Sequence, residues 1–181
     1  KVKNSMINVI QKKQKIGIVK SQDILENQVN YAYLALGTNL GNKIKNLEIA
    51  KYEICEKNET SIMRSSSFYS SKSWPNPKFP DYINIVILIK TKLLLHELFK
   101  KIKIIEKKLG RIKSPKNYPR ICDIDIIDYN GRHLLSSFKN QKIEVPHLRM
   151  HKRNFVLVPL YEINNSWLHP KLKKNIINLL S

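Results

Sequence analysis

The sequence predicts a mixed domain of β-strands and amphipathic helices, and three stretches carry that prediction. Ile83, Ile85, Ile87 and Ile89 recur with the period of two that lines one face of a strand. Leu94, Leu98, Ile102, Ile105 and Leu109 recur at three to four residues, the apolar stripe of a helix with one buried face. Cys122, Ile124 and Ile126 alternate again, this time with Asp123 and Asp125 between them.

Taken in order, residues 1–28 are basic and rich in Lys, Gln and Asn, with a short Ile-Gly-Ile-Val segment and no sustained period. They read as an N-terminal extension that adds a strand or stays mobile, leaving residues 29–181 as the domain. Tyr31 to Gly37 is a short apolar strand, followed by the turn Thr38-Asn39-Leu40-Gly41. That turn is not a phosphate-binding P-loop, since no Lys-Ser/Thr closes it, and GxGxxG does not occur. Ile44, Leu47, Ile54 and Cys55 mark a first helix. Ser65 to Ser71 reads as a second strand, and Ser73 to Pro80, with three prolines, as a loop. Trp74 and Phe79 make that loop a candidate lid, or fold back onto the core. The isoleucine strand comes next. The long helix after it ends in Lys107, Lys108 and Gly110, which complement its dipole and cap it. A basic loop from Arg111 to Arg120 leads into the aspartate strand. Asn130-Gly131 is the preferred type I′ turn, so that strand is expected to return as a hairpin through His133-Leu134-Leu135. Val145-Pro146-His147, the run Arg153 to Leu160 and a short terminal helix complete the chain.

Composition bounds the setting. At 181 residues the chain fits one domain with a sizeable core, and no apolar run approaches the ~20 residues of a membrane span. A signal peptide is not apparent, and Cys55 and Cys122 form neither a zinc motif nor a disulfide framework. The expectation is a soluble cytoplasmic protein with no membrane partner. A net charge of +19 suits a polyanionic partner, yet lysine spread evenly among abundant Ile and Asn is also what compositional drift produces. The scarce arginines Arg111, Arg120 and Arg153 carry more information, because a guanidinium fork matches phosphate oxygens.

The chemistry concentrates in three places. Asp123 and Asp125 project from one face of a strand and repel each other unless a cation lies between them. Hard oxygen donors without a Cys pair point to Mg²⁺, with water and nucleotide phosphates completing its shell. The alternative is a solvated strand edge. Tyr82 and Asn84 sit side by side opposite the isoleucine face, where a ring stacks and an amide reads the edge of a planar heterocycle. The alternative is an ordinary exposed pair. The basic loop beside the aspartates puts cations within reach of a polyphosphate.

The order of motifs is more specific than any one of them. Ala35-Leu36-Gly37-Thr38-Asn39-Leu40-Gly41, Pro80-Asp81-Tyr82-Ile83-Asn84, Glu106 with Gly110-Arg111, Pro119-Arg120-Ile121-Cys122-Asp123-Ile124-Asp125-Ile126, Val145-Pro146-His147, Arg153 with Phe155, and His169-Pro170 together resemble the 6-hydroxymethyl-7,8-dihydropterin pyrophosphokinases of folate biosynthesis. The resemblance implies a ferredoxin-like α+β fold, an antiparallel sheet with helices on one face and the active site on the other. It implies transfer of pyrophosphate from ATP to the pterin's hydroxymethyl group with release of AMP. Asp123 and Asp125 would hold two Mg²⁺ ions, and Arg111 and Arg120 would offset charge on the transferred group. Tyr82, Asn84 and Phe155, with Gly37, Ser71 and Trp74, would bind the pterin. Glu106, Arg111, Tyr118, Arg120, Ile126, His147 and Arg153 would serve ATP. A monomer is expected, alone or fused to other folate-pathway enzymes. The chain departs from the family at Asn117-Tyr118 for Trp-Gly, at Ser71-Lys72-Ser73 for Thr-Pro-Pro, and at Leu148 for an aromatic. An RNA-binding sheet is the rival class, and its Lys/Arg-Gly-Phe/Tyr-Gly/Ala-Phe segment is absent. A homologue that binds without catalysis is the second rival.

Overall fold

The computed structural model describes residues 29–111, 118–139 and 141–181, so the N-terminal extension lies outside the described residues. The elements run β1 (Asn30–Thr38), α1 (Lys43–Cys55), β2 (Thr60–Ser65), β3 (Tyr69–Ser71), β4 (Tyr82–Thr91), α2 (Leu95–Lys108), β5 (Asp123–Tyr129), β6 (Leu134–Phe138), β7 (Gln141–Val145), a 3₁₀ turn (Met150–Lys152), α3 (Asn154–Ile163) and α4 (Ile177–Leu180). The main sheet is antiparallel in the order β2-β4-β1-β5, with β3 continuing the β2 edge along β4. This is the ferredoxin-like α+β fold expected.

Period-two patterning explains the layers. Ala32, Leu34, Leu36, Ile85, Ile87, Ile89, Ile124 and Ile126 point to one face. There they meet Leu47, Ala50 and Ile54 of α1 and Leu98, Ile102 and Ile105 of α2. The other face is shared. Val86 and Ile127 pack beneath Val156, Leu157, Leu160 and Ile163 of α3, with Trp167 and Ile176 closing a second core. The uncovered end of that face is left for the site. α3 is built from the run after Arg153, and its first turn puts Phe155 beside that open end.

Three sequence expectations change. Ile44 and Leu94 are exposed, because the first lies on the outer side of α1 and the second caps α2 from outside. The Ser65–Ser71 strand is broken between β2 and β3. The β5–β6 hairpin does not form. Asn130 and Gly131 do take left-handed backbone (φ 56° and 62°), and Arg132 N–H donates to Tyr129 O at 3.2 Å, so the tight turn is present. Its asparagine is clamped to β1 instead: Tyr31 N–H donates to Asn130 Oδ1 and Asn130 N–H to Tyr31 O, each at 2.8 Å. β6 then pairs with β7. Local turn chemistry was legible, but the choice of strand partner is tertiary.

Candidate active site

The site is a row across the sheet. In the ladders, Gly37 of β1 stands opposite Asn84 of β4 on one side and Asp123 of β5 on the other, and Tyr69 of β3 extends the row beyond Asn84. Directly opposed residues share a face, so Asn84 and Asp123 flank a position with no side chain. Tyr82 lies two residues from Asn84 and Asp125 two residues from Asp123, on that same face. A Cβ at Gly37 would come within 3.0 Å of Asn84 Oδ1 and 3.7 Å of Tyr82 Cδ1. The glycine keeps a gap open between the aromatic–amide pair and the carboxylates.

Asp123 accepts from two guanidinium groups, Arg111 Nη1 at Oδ1 (2.7 Å) and Arg120 Nη1 at Oδ2 (3.0 Å). Burial opposes its ionisation, but Arg120 and Arg111 outweigh burial and hold the carboxyl below the ordinary aspartate value. Asp125 faces Arg153 Nη1 at 3.4 Å and His147 Nε2 at 3.9 Å. Burial pushes the His147 imidazole below its ordinary value, partly offset by Asp125. Burial likewise raises the Tyr82 phenol, with Arg120 beside it acting the other way.

Arg111 is aimed by the end of α2. Gly110 is left-handed (φ 94°), its N–H donates to Lys107 O (3.0 Å), and Arg111 N–H donates to Glu106 O (3.0 Å), the paired bonds of a Schellman cap. Glu106 is almost fully buried (1% exposed). Its Oε1 accepts from Arg111 Nη1 and from Ile124 N–H (2.9 Å), and its Oε2 from Lys103 Nζ (2.9 Å). Burial raises the Glu106 carboxyl against the pull of Lys103, the Ile124 amide and Arg111. One buried carboxylate thus ties α2, Arg111 and β5 together.

Asn84 Nδ2 donates to Ser71 Oγ at 2.9 Å and more weakly to Tyr69 O at 3.4 Å, so Ser71 and Asn84 are brought together. Phe155 is partly exposed, with the Arg153 guanidinium 5.5 Å from its ring centroid. Tyr118 packs on Phe79 of the proline-rich loop (5.6 Å between centroids), and its carbonyl accepts from Arg120 Nε (3.3 Å). Two further expected residues differ in exposure. The Trp74 side chain is 76% exposed, and the Ile126 side chain is buried in the helix-side core, which leaves only its backbone for a ligand.

Sequence reasoning missed three residues. Asn39, 1% exposed, accepts Arg120 N–H at 2.8 Å while its Nδ2 donates to Ser73 Oγ (3.2 Å) and Pro80 O (3.1 Å). It locks the arginine loop to the proline-rich loop. Its place in a turn between two glycines was visible, but its distant partners were not. Lys103 and Lys142 line a cleft of about 550 Å³ with Phe99, Glu106, Lys107 and Arg111. Lys103 could have been found from its i,i+3 spacing to Glu106; Lys142 reaches the cleft only through the β6–β7 hairpin.

Comparison with known proteins identifies the family. The family model of 7,8-dihydro-6-hydroxymethylpterin-pyrophosphokinase (HPPK) matches residues 33–165. The 2-amino-4-hydroxy-6-hydroxymethyldihydropteridine pyrophosphokinase of Synechocystis is 37% identical over 153 residues, covering 84% of this chain and 76% of that protein. The enzyme of the same name from Haemophilus influenzae is 36% identical over 139 residues, covering 77% of this chain and 84% of that protein. Among solved structures, Plasmodium falciparum HPPK-DHPS with pteroate shares the fold at a TM-score of 0.67 and 16% identity. That match covers 85% of this chain and 42% of the Plasmodium chain, so the sequence spans less than half of that two-part protein. With the motifs in order and the row of site residues assembled on one open sheet face, the chain belongs to the 7,8-dihydro-6-hydroxymethylpterin-pyrophosphokinase family of folate-synthesis enzymes.

Proposed function

We propose that this chain transfers the pyrophosphoryl group of ATP to the hydroxymethyl oxygen of 6-hydroxymethyl-7,8-dihydropterin, in a Mg²⁺-dependent reaction that releases AMP. The bond from the hydroxymethyl oxygen to the β-phosphorus forms, and the bond from that phosphorus to the oxygen leading to the α-phosphorus breaks. The hydroxyl proton passes to solvent. The observation that best supports this reading is the row Asn84, Gly37, Asp123, which sets a heterocycle-reading amide and a carboxylate pair on either side of one gap.

The donor set fits the metal. Asp123 and Asp125 offer hard oxygens on one face, and among the described residues no group of three or more His, Cys, Asp and Glu forms a cage. An ion held by so few carboxylates completes its shell with water and phosphate, as Mg²⁺ does. When bound, Mg²⁺ supplies charge neutralisation on the triphosphate and a template for in-line displacement.

The chain's own groups do the rest. Tyr82 and Phe155 stack the pterin, and Asn84, oriented by Ser71, reads its edge. Arg111 and Arg120, now on Asp123, turn their remaining N–H groups to phosphate oxygens. Arg153 and His147 stand on the nucleotide side with Asp125, and Lys103 and Lys142 add positive charge to the cleft beside Glu106. Tyr118 and the Ile126 backbone complete the nucleotide contacts, and Gly37 and the backbone at Trp74 the pterin contacts. The protein works as a monomer in the cytoplasm, by itself or joined to other folate-pathway enzymes, with no nucleic-acid or membrane partner. Residues 29–181 act as the catalytic domain and residues 1–28 as an extension.

The test is AMP formation from ATP and Mg²⁺ with and without the pterin, in the wild type and Asp125→Ala. Pterin-dependent AMP that disappears in the variant supports the reading. Tight pterin or ATP binding without turnover would replace it with a non-catalytic binding homologue.

A further inference from the structure

β3 owes its register to one extra residue. The ladder between β2 and β4 ends at Ser65 opposite Ile87, and the ladder between β3 and β4 begins at Tyr69 opposite Asn84. Ser66, Ser67 and Phe68 therefore stand against only Ile85 and Val86, the two-against-one surplus of a β-bulge. Without the surplus residue, Phe68 would face Asn84 and Ser70 would face Tyr82. Ser71 would turn to the opposite side of the sheet, because a slip of one residue exchanges the faces. The bulge decides that Ser71 Oγ meets Asn84.

A bulge frees backbone groups from the ladder, and here a side chain from another element takes one of them, the Ser67 N–H. Glu162, in the last turn of α3, accepts Ser67 N–H at 2.9 Å (Oε2) and 3.1 Å (Oε1), Ser67 Oγ–H at 2.8 Å and Tyr69 Oη–H at 2.8 Å. Arg64 Nη1 fastens the same helix end by donating to Ile163 O at 2.8 Å. The opposite end of α3 carries Phe155 and follows Arg153. A single carboxylate therefore links the helix that bears Phe155 to the strand that brings Ser71 to Asn84.

We infer that Glu162 is a positioning residue for the pterin: it pins the bulge at Ser66–Phe68, and so holds Ser71 against Asn84 and α3 against β3. The inference rests on the functional reading above and deepens it, since Glu162 itself touches no substrate. Its effect falls mainly on the pterin, because the nucleotide-side groups other than Arg153 hang from β5, β7, α2 and the loop before β5, and Arg153 stands at the far end of α3 from Glu162.

Steady-state kinetics on Glu162→Ala, Glu162→Gln and Tyr69→Phe test it, with pterin and ATP varied separately. The expected result is a pterin KM raised about tenfold in Glu162→Ala, and about threefold in Tyr69→Phe, with ATP KM within about twofold of wild type. Glu162→Gln, which keeps an acceptor for Ser67 N–H, restores part of the loss. Fluorescence titration of the pterin gives the same ranking without turnover and applies where a variant is inactive. Unchanged pterin affinity in Glu162→Ala, alongside weakened binding in Asn84→Ala, overturns the inference and leaves the functional reading standing. Equal loss of pterin and ATP affinity also overturns it, since that is the signature of a general structural role. Absence of pterin binding by the wild type overturns the functional reading itself.

Discussion

Gly37 stands opposite Asn84 in the β1–β4 ladder, and a methyl group added there would meet the Asn84 carboxamide oxygen at 3.0 Å. No backbone strain is involved; the glycine is needed for space. Gly37→Ala should displace the amide from Ser71 and weaken pterin binding about tenfold, in line with the loss of one well-made hydrogen bond. Fluorescence titration of the pterin checks this, and unchanged affinity would mean that the row has slack.

Arg111 and Arg120 share Asp123 but differ in what else they hold. Each alanine variant should lower kcat on the order of 100-fold or more, the usual effect of removing a donor aimed at developing charge. Their stabilities should diverge. Arg111 also neutralises the buried Glu106, so Arg111→Ala should cost about 1–3 kcal/mol. Arg120→Ala leaves Asp123 with Arg111 and should cost less, about 1 kcal/mol. Urea unfolding followed by far-UV circular dichroism separates the two.

Asp128 is buried, and its carboxylate accepts Trp167 Nε1–H and Gly131 N–H, both at 2.7 Å. Burial raises its pKa, while these two donors act against the rise. Trp167→Phe removes a bond to a charged acceptor and should cost about 1.5–3 kcal/mol at pH 7. Removing the donor raises the folded pKa further, so the added penalty falls on the ionised form. The difference from wild type should shrink as pH falls toward 4. A constant difference across that range would mean that packing alone accounts for the loss.

His169 is buried against Trp167 and His151, with ring centroids 5.5 and 6.0 Å away, and its Nδ1 accepts Lys171 and Leu172 N–H groups. Burial, then the neighbouring His151, pushes its pKa down from 6.5 to about 4, with Lys171 and His133 acting the same way. A depressed folded pKa gives stability that is fully present above the unfolded value and lost as pH falls through the folded one. Melting temperature should therefore decline between about pH 6.5 and pH 4. His169→Asn should flatten that slope, and parallel curves for variant and wild type would refute the assignment.

Most of the elements, and the chemistry each one carries, were legible along the chain. Alternation in Ile83–Ile89 and around Asp123 fixed which side of each strand is apolar, because a period of two leaves no freedom once one face is buried. The same rule placed Tyr82, Asn84, Asp123 and Asp125 on the polar side before any fold was known, and motif order named the family. Tertiary structure decided what those residues face. The Asn130-Gly131 turn forms as its residues require, yet β6 pairs with β7 and not with β5. Asn39 and Glu162 act through partners 81 and 95 residues away, and Lys142 joins the cleft from a different hairpin. Periodicity and turn chemistry are local and act within a few residues. Strand pairing and loop-to-loop hydrogen bonds join groups far apart in the chain, and the protein sets them only when its layers close.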